Sequence, residues 1–155
     1  MANSVTITVP QDYGYVIAVL VAIYLQQNVV FVIGVVQARM KTGIKAPSFY
    51  PRDDEIKKLK LSAAQVEDYM YAQRVHQNNM ELMSFFLPVF LIAGLHNPAN
   101  VANAGAVVVL FRFIYGLAPW KSTLRKVSGL FHVAEYYILF QAGSFAYHLL
   151  NGQAQ

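Results

Sequence analysis

Residues 71–100 have the sequence YAQRVHQNNMELMSFFLPVFLIAGLHNPAN. Most polar groups fall in its first eleven positions, and an uncharged, almost wholly apolar run follows over 82–95. The Asn-Pro pair at Pro98 marks a tight turn, because the residue before a proline disfavours the helical conformation. The stretch therefore predicts a membrane helix over about 71–95 that returns antiparallel directly afterwards. Pro88 lies inside this helix and should kink it rather than end it.

Three further apolar runs are present, at 13–38, 101–118 and 129–150. The first carries no charge, and about 20 residues suffice for a helix to cross the hydrocarbon core. No Lys or Arg precedes that run, which favours a retained anchor over a cleaved signal peptide. Only 13% of the 155 residues are charged, whereas soluble domains carry about 25%. We therefore predict an all-α integral membrane protein, a single domain over 1–155 built as an antiparallel four-helix bundle.

The basic residues lie on one side of this predicted bundle. Of the twelve Lys and Arg residues, seven fall in 39–60, three in 121–126 and two inside spans. With four spans, the loops 39–70 and 119–128 face the same side, which the positive-inside rule makes cytosolic. Both termini and the HNPAN turn then face the opposite side. This asymmetry explains the net charge of +4 without a nucleic-acid partner.

The long loop 39–70 contains the segment PRDDEIKKLKLSAAQVED, in which charges of both signs alternate closely. Such a segment forms either a solvated loop or a short surface helix. A helix would begin near Asp53, because carboxylates are favourable at a helix N-terminus.

The chain contains no cysteine, which excludes disulfides, a Cys-based zinc site and a protein thiolate nucleophile. No metal site is predicted. His132 and Glu135 have the i, i+3 spacing of metal ligands, but a di-iron site needs about four carboxylates and two histidines. The spans supply only Glu81 and Glu135. Two alternatives stay open, namely a polar contact of Glu135 with another helix and a haem held by two of His76, His132 and His148. Interhelical hydrogen bonds are predicted for three amides in the first span, Gln26, Gln27 and Asn28.

Arg74, Asn78 and Glu81 recur at i, i+4 and i+7 and therefore share one face of the second helix. Charged groups within a membrane usually face a bundle interior or a wet cavity. Arg112 and Tyr115 lie near the cytosolic end of the third span, at a similar expected depth. Together these groups suit a small zwitterion or polyacid, since Arg binds carboxylates and Glu accepts an ammonium. The alternative is a polar network that only holds helices together.

The string QRVHQNNMEL followed by the turn HNPA resembles the MAPEG family of membrane proteins of eicosanoid and glutathione metabolism. The segments VVQARMKTGIKAPSFYP and FRFIYG are similar to further elements of that family, so the resemblance covers about residues 13–118. The second-helix motif is most similar to a microsomal glutathione transferase branch. The resemblance implies a four-helix homotrimer that binds glutathione between subunits near the cytosolic side. It also implies a location in the endoplasmic reticulum membrane, with a mitochondrial membrane as the alternative.

The resemblance also assigns the candidate site residues. By motif position, glutathione would contact Arg74, Asn78 and Glu81, with His76 nearby. Arg112 and Tyr115 would complete the pocket from the neighbouring subunit, and Arg39 would assist. An arginine after the third helix stabilises the thiolate in active relatives, and the candidates for that catalytic role are Arg125 and Lys126.

The expected function is that of a glutathione transferase or peroxidase acting on lipophilic electrophiles and lipid hydroperoxides. Glutathione would be the co-substrate and would bring the thiol that the chain lacks. The alternative is a non-catalytic lipid-binding protein or an accessory subunit of a larger membrane complex. Three departures from the family pattern bear on this choice, namely Leu82 and Pro119 in place of tyrosines and the longer loop 39–70.

Overall fold

The computed structural model describes residues 6, 8–119 and 121–152, and over these residues the chain is helical, without strands. A first helical rod consists of α1, a π-helical segment and α2, and the shorter α3 follows. The long α4 leads into α5, after which α6 and a 3-10 turn precede α7. The bounds are α1 Tyr13–Leu25, π segment Gln26–Phe31, α2 Val32–Thr42, α3 Asp53–Leu59, α4 Ala63–His96, α5 Pro98–Leu117, α6 Thr123–Val127, 3-10 turn Ser128–Leu130 and α7 Phe131–Leu150.

Three helices are long and apolar enough to cross a membrane, namely Tyr13–Thr42, Ala63–His96 and Pro98–Leu117. An integral membrane protein is thereby supported. The fourth predicted span is the helix α7, but polar residues lower its hydropathy and it is not one of these three. A four-span bundle therefore stays a prediction.

The helix ends follow local sequence signals. Gly43 closes α2 in the left-handed conformation with φ of 76°, and its N–H donates to the Arg39 carbonyl at 2.8 Å. Asn97 alone separates α4 from α5, and Pro98 occupies the first turn of α5, where its missing N–H costs nothing. The predicted turn is confirmed, and α4 continues through Pro88. Of the two alternatives for the segment after Pro51, the solvated loop was wrong and the short surface helix is present, with three carboxylates in its first turn.

Two helices extend beyond the spans predicted for them. α4 begins at Ala63, ahead of the span predicted from about residue 71, and the first rod continues to Thr42, past the predicted span end at residue 38. Hydropathy marks where a helix leaves the hydrocarbon, whereas the helix itself continues into the polar region beyond it.

The described chain divides into two compact units, Tyr24–Glu81 and the remainder. In the remainder, the core is a cluster of apolar side chains from α1, the second half of α4, α5 and α7. Phe86 and Phe90 stack in it with ring centroids 5.4 Å apart. The most deeply buried members are Val16, Phe90, Ala93, Val101, Val108 and Ile138.

Gly105 allows α5 to approach this core closely. A Cβ at that position would lie 2.5 Å from Cε2 of Phe90 and 3.0 Å from Cγ1 of Val19. Phe90 is fully buried within the apolar core cluster. We expect Gly105→Ala to lower the free energy of unfolding by ~1–3 kcal/mol through overpacking. Thermal unfolding in detergent measures this. Gly143→Ala in α7 is the control, since its Cβ meets nothing within 4 Å, and equal midpoints for the two variants would contradict the packing described.

Candidate anion-binding site

Two arginines contact one tyrosine where α5 is followed by α6. Arg112 on α5 is only 2% exposed, and its guanidinium carbon lies 4.8 Å from the ring centroid of Tyr115 and 5.1 Å from that of Phe131. The guanidinium carbon of Arg125 lies 3.8 Å from the same Tyr115 ring. Arg125 also donates through Nη1 to the Tyr115 carbonyl at 3.1 Å. All three ring contacts are of the cation–π kind, which holds guanidinium planes against aromatic faces.

Two serines fix the backbone of Arg125. Ser122 caps α6, and its Oγ accepts from the Arg125 N–H at 3.3 Å. The fully buried Ser128 donates through Oγ to the Arg125 carbonyl at 2.6 Å. Of the two predicted catalytic cations, Arg125 therefore lies beside Tyr115, whereas the side chain of Lys126 is exposed.

One carboxylate of α7 offsets part of this positive charge. Glu135 attracts the Arg112 guanidinium, which Arg125 repels. Oε2 of Glu135 lies 2.5 Å from Nδ1 of His132. Among the side chains described here, two guanidinium groups lie near one carboxylate, so positive charge exceeds negative charge around Tyr115. A partly buried excess charge of this kind favours a bound anion such as a carboxylate or thiolate.

The predicted polar face of the second helix is present on α4. Arg74, Asn78 and Glu81 lie on one continuous helix and all three side chains are exposed, while His76 between them is half-buried. Their placement on one face is confirmed. An exposed set of two charges and an amide is accessible to a ligand or a neighbouring subunit.

Arg39 has a second role that the sequence did not indicate. Its Nη2 donates to the Ser48 carbonyl at 2.9 Å, and Nη1 reaches the Ile44 carbonyl at 3.5 Å. Tyr69 donates to the same Ser48 carbonyl at 2.6 Å and accepts from Nε2 of Gln73 at 2.9 Å. Arg39 therefore holds the loop after α2 in place, and its predicted contact with a ligand stays a prediction.

The π-helical segment places buried amides opposite α4. Asn79, which is fully buried, donates through Nδ2 to Oε1 of Gln27. The predicted interhelical hydrogen bond is confirmed for Gln27, and Gln26 is also buried. Asn28 is exposed and its Nδ2 donates to the Tyr24 carbonyl of its own helical rod at 3.2 Å, so an interhelical hydrogen bond of Asn28 stays a prediction. The wide turn of a π-helix is often found near functional sites.

Sequence reasoning missed several residues around the two arginines Arg112 and Arg125. Nothing in the sequence analysis indicated Phe131, Ser122 or Ser128, whereas the predicted polar contact of Glu135 with another helix is confirmed by its attraction to Arg112 of α5. A serine three residues before Arg125 is a recognisable N-cap signal and was the one available clue.

Comparison with known proteins gives two matches. The model of the MAPEG family matches residues 16–142, which includes every residue proposed to contact glutathione or its thiolate. The uncharacterized protein sll1147 of Synechocystis sp. is 28% identical over 113 residues, which is 72% of each chain. No solved structure matches. The family match extends past Pro119 through α6, beyond the region over which the motifs were evident.

Proposed function

Because this chain belongs to the MAPEG family, we propose that it is a membrane-bound glutathione transferase with glutathione peroxidase activity. Its substrates are lipophilic electrophiles and lipid hydroperoxides. The observation that carries the proposal is the pair Arg112 and Arg125 on the Tyr115 ring. The family assignment supports glutathione as the co-substrate, and the microsomal transferase branch is the one proposed for this chain.

We further propose that the glutathione backbone binds the α4 face. Glu81 accepts the ammonium, Arg74 binds a carboxylate and Asn78 hydrogen-bonds the peptide, with His76 alongside. In a homotrimer, Arg112 and Tyr115 of a neighbouring subunit complete the pocket. The exposure of the α4 face in the single chain supports an intersubunit site.

Arg125 is proposed to stabilise the glutathione thiolate. A free thiol has a pKa near 8.5, and an adjacent cation lowers it. The thiolate sulfur attacks an electrophilic carbon, and the leaving group departs as the new C–S bond forms. With a hydroperoxide, the thiolate attacks the terminal oxygen and the O–O bond breaks, giving an alcohol and glutathione sulfenic acid. A second glutathione then forms the disulfide and releases water.

The proposed setting is the endoplasmic reticulum membrane, with α7 as the fourth span and the basic loops in the cytosol. The ten loop cations of one predicted side support this orientation. The lipophilic substrate then reaches the thiolate from the bilayer.

Turnover tests the proposal directly. Purified protein is assayed with glutathione and 1-chloro-2,4-dinitrobenzene, and separately with cumene hydroperoxide. We expect glutathione-saturable product formation in at least one assay. Absence of both activities in a homotrimeric preparation would contradict the enzyme assignment.

An accessory subunit is the second candidate function. The loop between α2 and α3 exposes Phe49 and Tyr50 by 53% and 50%, which suits a partner protein. In mild detergent such a subunit would co-purify stoichiometrically with other membrane proteins, whereas a free homotrimer would count against this role.

A further inference from the structure

A pocket of about 520 Å³ lies between α2 and the first turns of α4, within the unit Tyr24–Glu81. Its volume is in the range of sites that hold small ligands. None of the residues proposed to bind glutathione lines it. The pocket is therefore separate from the proposed glutathione-binding face.

Along the pocket, the residues on both walls change from uncharged to charged in the same direction. On α2 the lining proceeds from Gly34 and Ala38 to Lys41, with i, i+4 and i+7 spacing. On α4 it proceeds from Ala72 to Asp68 as that helix is followed back toward its start. Gly34, Ala38 and Ala72 thus line one end of the pocket together with Gln37 and Tyr71, and the cation and the anion line the other end together with Thr42 and Gln65.

The two charges are available to a ligand. Lys41 and Asp68 are both exposed, and within the part of the chain that the structure describes neither forms an ion pair within 4.0 Å. At the charged end, Lys41 can therefore bind a phosphate while Asp68 binds an ammonium group.

The length of α4 places this end at the level of the lipid head groups. The helix has 34 residues, which at about 1.5 Å each gives roughly 51 Å. The hydrocarbon core is only about 30 Å thick, or about 40–45 Å with head groups. The one-residue turn at Asn97 ties the other end of α4 to the start of α5. The first turns of α4, which carry Asp68, consequently project beyond the hydrocarbon.

We propose that this pocket binds one zwitterionic phospholipid of the ethanolamine type. Lys41 binds the phosphate, Asp68 accepts from the ammonium, and the glycerol region lies along Gly34, Ala38 and Ala72. Charge complementarity selects this occupant, because an anionic lipid without an ammonium would leave its head group facing the Asp68 carboxylate. The inference is independent of the proposed glutathione chemistry.

Native mass spectrometry of the full-length protein tests the site, with phosphatidylethanolamine and phosphatidylglycerol added at equal concentration. The variants are Lys41→Gln, Asp68→Asn and Gly34→Leu. A Cβ at Gly34 meets nothing within 4 Å, so a leucine there can fill the pocket without displacing the fold. Gly143→Leu is the matched control, since its Cβ is equally free and it lies outside the pocket.

We expect wild-type protein and Gly143→Leu to retain phosphatidylethanolamine in preference to phosphatidylglycerol. Asp68→Asn should abolish this preference, and Lys41→Gln should lower retention of both lipids by about fivefold, because each removes a charge-assisted contact. Gly34→Leu should lower retention of both lipids relative to the control, because the leucine occupies the pocket that holds them. Equal retention of the two lipids by wild type, unchanged retention in Asp68→Asn and Lys41→Gln, or displacement of the lipid by glutathione would each overturn the proposal.

Discussion

Arg125→Ala is expected to lower glutathione-dependent turnover by about 100-fold, the usual loss when one group that stabilises a developing or bound anion is removed. The Kd for glutathione should change by less than about threefold, because Arg125 is proposed to contact the reacting sulfur of glutathione rather than its peptide backbone. The loss should depend on pH. Since Arg125 lowers the thiol pKa in the wild type, turnover of the variant should rise to its plateau at higher pH, near the free thiol value of about 8.5.

Lys126→Ala is the matched control for this prediction. The two cations are adjacent in sequence, yet only Arg125 contacts Tyr115 and its side chain alone is partly buried. Arg125→Lys separates charge from geometry, because lysine keeps the charge without the planar group that stacks on the ring. Equal losses of turnover in Arg125→Ala and Lys126→Ala would contradict the proposed role of Arg125 in stabilising the thiolate. An unshifted pH profile of turnover in Arg125→Ala would contradict it as well.

Arg74→Ala and Glu81→Ala are each expected to weaken glutathione binding by at least about tenfold, since each removes one charged partner of a zwitterionic ligand. Both residues lie on the exposed face of α4, so the substitutions leave no cavity in the core. The homotrimer should persist. Calorimetry measures the Kd, and size-exclusion chromatography with light scattering measures the assembly.

Glu67→Ala controls for the loss of charge on α4. Glu67 is also an exposed carboxylate of that helix, but it lies two turns before Arg74, roughly 10 Å along the axis, beyond the residues proposed to contact glutathione. Its removal should leave the Kd unchanged. Unaltered affinity in Arg74→Ala and Glu81→Ala would show that glutathione, if bound, occupies another place.

Several features of the fold followed from local sequence signals. The turn before Pro98 and the common face of Arg74, Asn78 and Glu81 were predicted correctly, and the short helix at Asp53 was one of the two alternatives that the sequence left open. Each depends on backbone restriction, end charges or helical periodicity within a few residues. Such local signals do not depend on how the helices pack against one another.

Other features depend on contacts between distant residues. The π-helical segment at Gln26–Phe31 has no periodic signature, although it places Gln27 where Asn79 can donate to it. A loop separates Arg125 from Tyr115, and sequence spacing does not specify the path of that loop. Only the three-dimensional structure shows that Arg125, rather than Lys126, lies beside Tyr115. The charge partnership of Glu135 with Arg112 likewise arises from the packing of α7 against α5.

Titration of the detergent-purified protein with glutathione tests the central claim most directly, with heat and ultraviolet absorbance of the thiolate recorded together at neutral pH. The account predicts saturable binding accompanied by a thiolate signal that reaches its plateau at the same ligand concentration. Absence of saturable binding, or binding without any thiolate at neutral pH, would contradict it.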